Sequence, residues 1–373
     1  ILPPTAGYSI GQFPLIKYTT LAGTGSFVVG SLPVGVIASV VTNSGNSSID
    51  LAITSVNQPR WDGQAGATWD TGSDTNWINI GTGLPTAYAD PSTVLFDDDA
   101  AGATTVNLTT TVNPIGMTVT NNLLPYSIVG IGKIGGSAGI SKQGTNTLAI
   151  LNTGGNDFTG PVTVVGGTLS VTNLPNDGVA GPIGKGSLIL AGGNFSYSGP
   201  ATSVSHSYTT TASGSTLTTV NNLTLTGGTF TAGVGGGLNK SGLANLTYAQ
   251  TGSNVLSDAA SGGYDVLDGS VTFDGSNGGQ TNMIGNILAL NGQHSVAKVV
   301  VTNSVVNTGD LGLGNLGNST NTLTIDGNST VNMGGWLIFG DGGNVVSTLT
   351  LNTGTLNVNS GKVLMGGRPG DTS

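Results

Sequence analysis

A short phrase returns along this chain of 373 residues. Leu148–Thr153 reads LAILNT, Gly166–Val171 reads GGTLSV, Ser187–Phe195 reads SLILAGGNF and Leu223–Phe230 reads LTLTGGTF. Leu323–Val331 reads LTIDGNSTV and Leu349–Val358 reads LTLNTGTLNV. Each is two or three alternating apolar positions, a Gly/Asn/Asp turn, and another alternating run. Such self-similarity constrains architecture more than any single residue. One unit cannot bury its own apolar face and must stack on its neighbours. Leu323 and Leu349 lie 26 residues apart, as do Gly166 and Gly192, and Val299 and Leu323 lie 24 apart. A period of roughly 25 suits one turn of a parallel β-solenoid with two or three short strands per coil.

Composition supports the same reading. There are 64 Gly, no Cys and no Glu; all 18 acidic residues are Asp, and only 7% of residues are charged. The usual helix formers are therefore scarce. Thr and Val supply strands, and Gly and Asn supply turns. With aromatics at 5%, the core must be slender and filled by small β-branched side chains. A net charge of −9 without a basic patch argues against nucleic acid as a partner. No apolar run reaches the roughly 18 residues needed to cross a bilayer as a helix; Pro33–Val41 is the richest and is much shorter. The absence of Cys fits an exported bacterial chain and many cytosolic ones equally.

Texture divides the chain into residues 1–55, 56–125 and 126–373. In the first part, Phe13–Tyr18, Gly25–Gly30, Pro33–Val41 and Ser48–Val56 read as strands between Gly and Asn-Ser-Gly turns. In the second, Trp61, Trp69 and Trp77 fall eight residues apart, interrupted by Gly63, Gly66 and Gly72. That pattern predicts a hairpin or a set of turns. From 126 onward the repeat dominates, with room for roughly ten coils. The Ser/Thr-rich stretch 202–219 and the glycine-rich stretch 233–242 are expected to loop out of the solenoid or to form irregular coils. Neither end of the chain carries a cap-like sequence, so a piece of a longer repetitive protein is expected.

Residues 140–173 read ISKQGTNTLAILNTGGNDFTGPVTVVGGTLSVTN. Lys142, Gly144, Thr147, Leu148, Asn156, Phe158, Gly160, Gly166, Gly167, Thr168 and Leu169 occupy the places of a recurring pattern. That pattern is a Lys, a Gly-Thr-like turn, a Thr-Leu strand, an Asn-x-Phe/Tyr-x-Gly corner, and Gly-Gly-Thr-Leu with a strand. The segment resembles the autotransporter-associated β-strand repeat, or passenger-associated transport repeat, of bacterial surface proteins. The block from Trp61 to Asp98 resembles the segment that precedes such repeats, and residues 13–56 resemble one that closes an array. On that reading residues 1–55 end a preceding array, 56–125 form an entry segment and 126–373 form the solenoid. The resemblance implies a right-handed parallel β-helix, export and surface display, and it carries no catalytic residues.

Other motifs carry little chemistry in this context. Gly130-x-Gly132-x-x-Gly135 and Gly312-x-Gly314-x-x-Gly317 match a dinucleotide fingerprint, but no helix follows to hold a pyrophosphate. Gly135–Gly139 matches a nucleophile elbow without the strand-turn-helix it needs; His206 and His294 are the only histidines. Asp97, Asp98 and Asp99 are weak Ca²⁺ candidates, because neighbours on one strand point to opposite faces. Asp341-Gly342-Gly343 is a fragment of a calcium-binding repeat. Asp265, Asp268 and Asp274 are weighed because polysaccharide-cleaving enzymes need carboxylates on one face, yet Asp265 and Asp268 are three apart. Trp61, Trp69 and Trp77 are weak candidates for stacking on sugar rings. The expectation is a non-enzymatic, exported structural protein without cofactors: a segment of a bacterial surface fibre or adhesin. Its expected partners are adjacent repeats or identical subunits, and extracellular polysaccharide. A carbohydrate-active β-helix enzyme or binding module is the alternative.

Overall fold

The computed structural model describes residues 10–366 except 31, 33–35, 57, 73, 213, 259–261, 292–295, 315–318 and 341–343. Every regular element among them is a β-strand. The repeating phrases become coils stacked in parallel, forming a β-solenoid of about 11 turns. Leu148 lies beside Leu169, Leu169 beside Phe195, and Phe195 beside Leu217. Val299 lies beside Leu323 and Leu323 beside Leu349, so the intervals of 24 and 26 are true coil lengths. Alternation does the sorting. Thr168–Val171 and Asn194–Tyr197 each bury every second residue and leave the others at the surface. The buried ones form one continuous core from Trp61 to Leu337. Each fully buried Leu, Val or Phe contributes about 1.5–3 kcal/mol, and backbone amides are satisfied between neighbouring coils.

Corners explain the rest of the repeating pattern. A side chain at Gly144 would place its Cβ 2.0 Å from the Asn121 carbonyl oxygen, and one at Gly160 would lie 2.3 Å from that of Ala138. Asn156 accepts from the Ile134 amide at 2.8 Å and donates to the Pro182 carbonyl at 3.0 Å, linking three levels of the stack. Phe158 two residues on is wholly buried.

Three sheets of 10, 16 and 7 strands carry the shaft. The seven-stranded sheet starts partway along, at Thr202–Ser205. This corrects the expectation that 202–219 loops out or forms irregular coils. Thr202–Ser205, Tyr208–Thr210 and Ser215–Thr219 are strands, one in each of the three sheets. Within 233–242, Leu238–Ser241 is likewise a paired strand. Dense Ser and Thr suggested a loop, but in a solenoid the outward positions need no apolar residue.

Apart from Trp77–Asn79 and Leu84–Thr86, strands between 59 and 129 pair in parallel with those that follow. At the start, the ten-stranded sheet changes direction. Pro59–Trp61 pairs antiparallel with Trp77–Asn79, which pairs antiparallel with Leu84–Thr86. Trp61 lies opposite Trp77 on paired antiparallel strands, while Trp69 between them sits on a strand of the 16-stranded sheet. The edge strand of the ten-stranded sheet is three residues long with Pro85 at the centre, and both features blunt an edge. A closure therefore exists inside the chain, where no cap was legible. Before it, Gly11–Lys17, Ser48–Val56 and Val36–Asn43 form a separate antiparallel sheet, in that spatial order, over a small core of Val36, Leu51, Ile53 and Val56. Gly25–Gly30, expected as a strand, is not one.

Candidate functional site

One aromatic cluster sits at the closed end, and a second, of Tyr208, Phe230, Tyr248, Tyr264 and Phe273, lies further along the shaft. Trp61 and Trp77 meet edge to face at 5.0 Å, Trp69 lies 5.3 Å from Trp77 and 5.5 Å from Tyr88, and Phe96 lies 5.4 Å from Tyr126. The Trp61 indole donates to the Ala103 carbonyl at 2.7 Å. Trp61 and Trp69 are 0% exposed and Trp77 is 1%. Stacking on a sugar needs an open ring face, and none is left. The sugar-binding expectation for these three is corrected: they plug the first coils. Trp336, the fourth, is the one at the surface, with the Lys362 ammonium 5.3 Å over its ring.

The Asp97–Asp99 run diverges into three separate structural contacts. Asp97 accepts from the Asp99 amide at 3.0 Å. Asp98 accepts from the amides of Asn122, Leu123 and Leu124 at 2.8–3.0 Å, one coil onward. Asp99 pairs with Arg60. Desolvation pushes the Asp98 carboxyl up, but the bonds from Leu124, Leu123 and Asn122 outweigh it and leave its pKa below the ordinary value. Asp97 is raised, first by burial. Replacing Asp98 with Ala is expected to lower stability by about 1 kcal/mol, read as a lower urea midpoint. Millimolar Ca²⁺ is expected to leave the wild-type midpoint unmoved.

Two lysines are held inside the shaft. Lys142 and Lys240 are 0% exposed. The Lys142 ammonium donates to the carbonyls of Gly144 and Gly166, the latter at 3.2 Å. That of Lys240 donates to Ser241, Gly242 and Asp268 at 2.8, 2.6 and 3.2 Å. Each thus ties the corner of its own coil to the corner of the next. Desolvation lowers both to about 8. Lys142 was legible as part of the repeating pattern. Lys240 has the same signal, a Lys at the inward parity of an alternating run followed two residues later by Gly, as Leu238-Asn-Lys240-Ser-Gly242.

Asp265 and Asp268 are not brought together. Asp265 sits on the outer side of the Tyr264–Val266 strand, in the same row as Asn239 and Ala289, and burial raises it to about 6. Asp268 lies at the corner that Lys240 ties, and Asp274 accepts from the Ser276 amide and hydroxyl. Among the described residues no three His or Asp side chains gather in a way that could hold a metal ion. Gly130, Gly132 and Gly135 stand at a corner beneath which Leu108, Thr110 and Asn113 pass closely, and Gly135–Gly139 joins Lys133–Ile134 to Ile140–Lys142; neither leads into a helix. Gly317, His294 and Asp341–Gly343 lie outside the described residues. No described helix is long and apolar enough to cross a membrane.

Comparison with known proteins agrees with this architecture. The chain is 30% identical over 254 residues, 61% of its length, to the adhesin BmaC autotransporter of Brucella suis biovar 1 (strain 1330). It spans about 7% of that protein's length. No family model matches the chain, and no solved structure matches it. The similarity and the stacked coils together support the resemblance to autotransporter-associated β-repeat surface proteins.

Proposed function

We propose that this chain, a β-solenoid similar in sequence to an autotransporter adhesin, is an adhesin-like passenger segment displayed on a bacterial surface or released outside the cell. The observation that carries the reading is the unbroken parallel stack. A regular shaft performs by length and stiffness, and it needs no reactive centre. Its outward rows are short and mostly uncharged. Thr147, Thr168, Asn194, Thr216 and Asn239 form one row, and Ser127, Ala149, Ser170, Ser196, Thr218 and Ser241 the next. The conspicuous polar groups, Asp98, Lys142, Lys240 and Asn156, are engaged in holding coils together, which supports a non-enzymatic role. Its partners are adjoining repeats, other copies of the chain, and extracellular polysaccharide.

The test is adhesion itself. Beads carrying the purified chain are expected to bind host cells or polysaccharide-coated surfaces above beads carrying an unrelated solenoid. Electron microscopy should show short rods, about 5 nm for eleven coils at ~4.8 Å each. Equal retention of both bead types would defeat the adhesive reading. Turnover of a polysaccharide by wild type, abolished in Asp265→Asn, would replace it with an enzymatic one.

A further inference from the structure

A parallel sheet that starts in mid-shaft has a first strand with no strand beneath it. Here that strand is Thr202–Ser205, at the end of the seven-stranded sheet. An uncovered edge of amides and carbonyls is a template for pairing with another chain. Residues 172–187, the long connection between Thr168–Val171 and Leu188–Leu190, run across this place. The Asp177 amide donates to the Ser205 carbonyl at 2.8 Å, as an added strand would. The Asn176 side chain accepts from the Ser205 amide at 2.8 Å. The Asp177 carboxylate accepts from the Ser207 amide at 3.0 Å and from its hydroxyl at 2.5 Å. His206 Nδ1 lies 3.0 Å from the Pro175 carbonyl and 3.3 Å from Asp177. Leu174 and Ile183, 3% and 0% exposed, anchor the connection in the core on either side.

We infer that residues 174–183 are a strap that occupies this internal edge and keeps a second copy of the chain from adding a strand to the side of the shaft. Its side chains stand in for a backbone partner. Asn176 and Asp177 meet the amide and the carbonyl of Ser205, where a lower coil would supply its backbone, so this end of the edge is satisfied without offering a strand in return. The sheet adds two further protections. The first strand has only four residues, and its pairing with Leu223–Gly227 is broken by an extra residue, Thr226, between the partners of Val204 and Ser205; short strands on irregular edges pair poorly. The inference rests on strand geometry and stands whatever the shaft adheres to.

The experiment is sedimentation of the full chain carrying Asn176→Ala and Asp177→Ala, with amide exchange at Ser205 and Ser207. Exchange at both amides should quicken at least ten-fold. Dimers should appear at a concentration at least ten-fold below any seen for wild type. Adding Ser203→Lys, a charge on the exposed face of the first strand, should return the variant to monomer. If the double variant fails to fold, Asp177→Asn keeps the side-chain volume and is read the same way. Unchanged exchange, opening without association, or association that Ser203→Lys leaves untouched would each overturn the inference.

Discussion

Replacing Trp69 with Ala should destabilise the closed end of the solenoid by about 4 kcal/mol, the range for removing a large buried aromatic. The side chain is 0% exposed and touches Trp77, Tyr88 and Phe96 within 5.6 Å between ring centres. Its neighbours Trp77, Tyr88 and Phe96 are large rings held by contacts of their own, so the site collapses poorly around a gap. Edge-to-face pairs add about 0.5–1.5 kcal/mol each beyond their buried area. The loss should be local at first. A stack of coils behaves as a chain of nearest-neighbour interfaces, so amide exchange should quicken at Val94–Phe96 and Val106–Leu108 before it does near Leu323. Trp69→Phe should recover part of the loss. Binding to polysaccharide should be the same in all three proteins, because the ring is enclosed. A Trp69→Ala protein as stable as wild type would show that the plug does not close the core. Selective loss of sugar binding would restore the stacking role that burial argues against.

Lys240→Met should cost about 3 kcal/mol at pH 7. The substitution keeps the apolar stem but leaves the carbonyls of Ser241, Gly242 and Asp268 without their shared donor. The pH dependence distinguishes this from simple repacking. Burial lowers the folded Lys240 to about 8 from an ordinary 10.5. Between those values the unfolded chain binds more protons, so wild-type stability should rise as pH climbs from 8. Below pH 8 both states are protonated and the cost of the buried charge is fully present. The rise should approach about 2 kcal/mol by pH 9.5, at roughly 1.4 kcal/mol per pKa unit. Lys240→Met lacks that contribution, so the gap between the proteins should widen over this window. Comparing the two also removes the opposing effect of Tyr208, Tyr248 and Tyr264. Burial raises these hydroxyls, and they favour the folded state less once unfolded tyrosines begin to ionise near pH 10. A gap constant from pH 7 to 9.5 would refute the buried-ammonium tie.

How far the fold can be read from residues alone differs from element to element. Ser48–Val56 is a strand over the very residues its alternation marks, and Leu323 and Leu349 are neighbours at the interval their phrases share. The Trp61 and Trp77 strands likewise pair antiparallel, although Trp69 between them joins another sheet. Thr202–Thr219 misled because outward Thr and Ser look the same in a loop and on a wet strand. Gly25–Gly30 misled in the opposite sense: two valines and a phenylalanine suit a strand, but nothing in the described structure pairs with them.

The candidate site follows the same division. Spacing alone separated Asp265 from Asp268 and made three adjacent aspartates a poor cage. It could not show that Asp98 grips the amides of residues 122–124, or that Asp177 covers the edge of a sheet beginning about 25 residues later.

Alternation of period two and a coil length near 25 by themselves determined an all-β stack, because both are local properties that any stacking must respect. Tertiary structure alone decided where each sheet begins, which aromatics are inside, and which carboxylates are occupied. Those depend on which coil lies beneath a residue, and a one-dimensional pattern does not contain that distance.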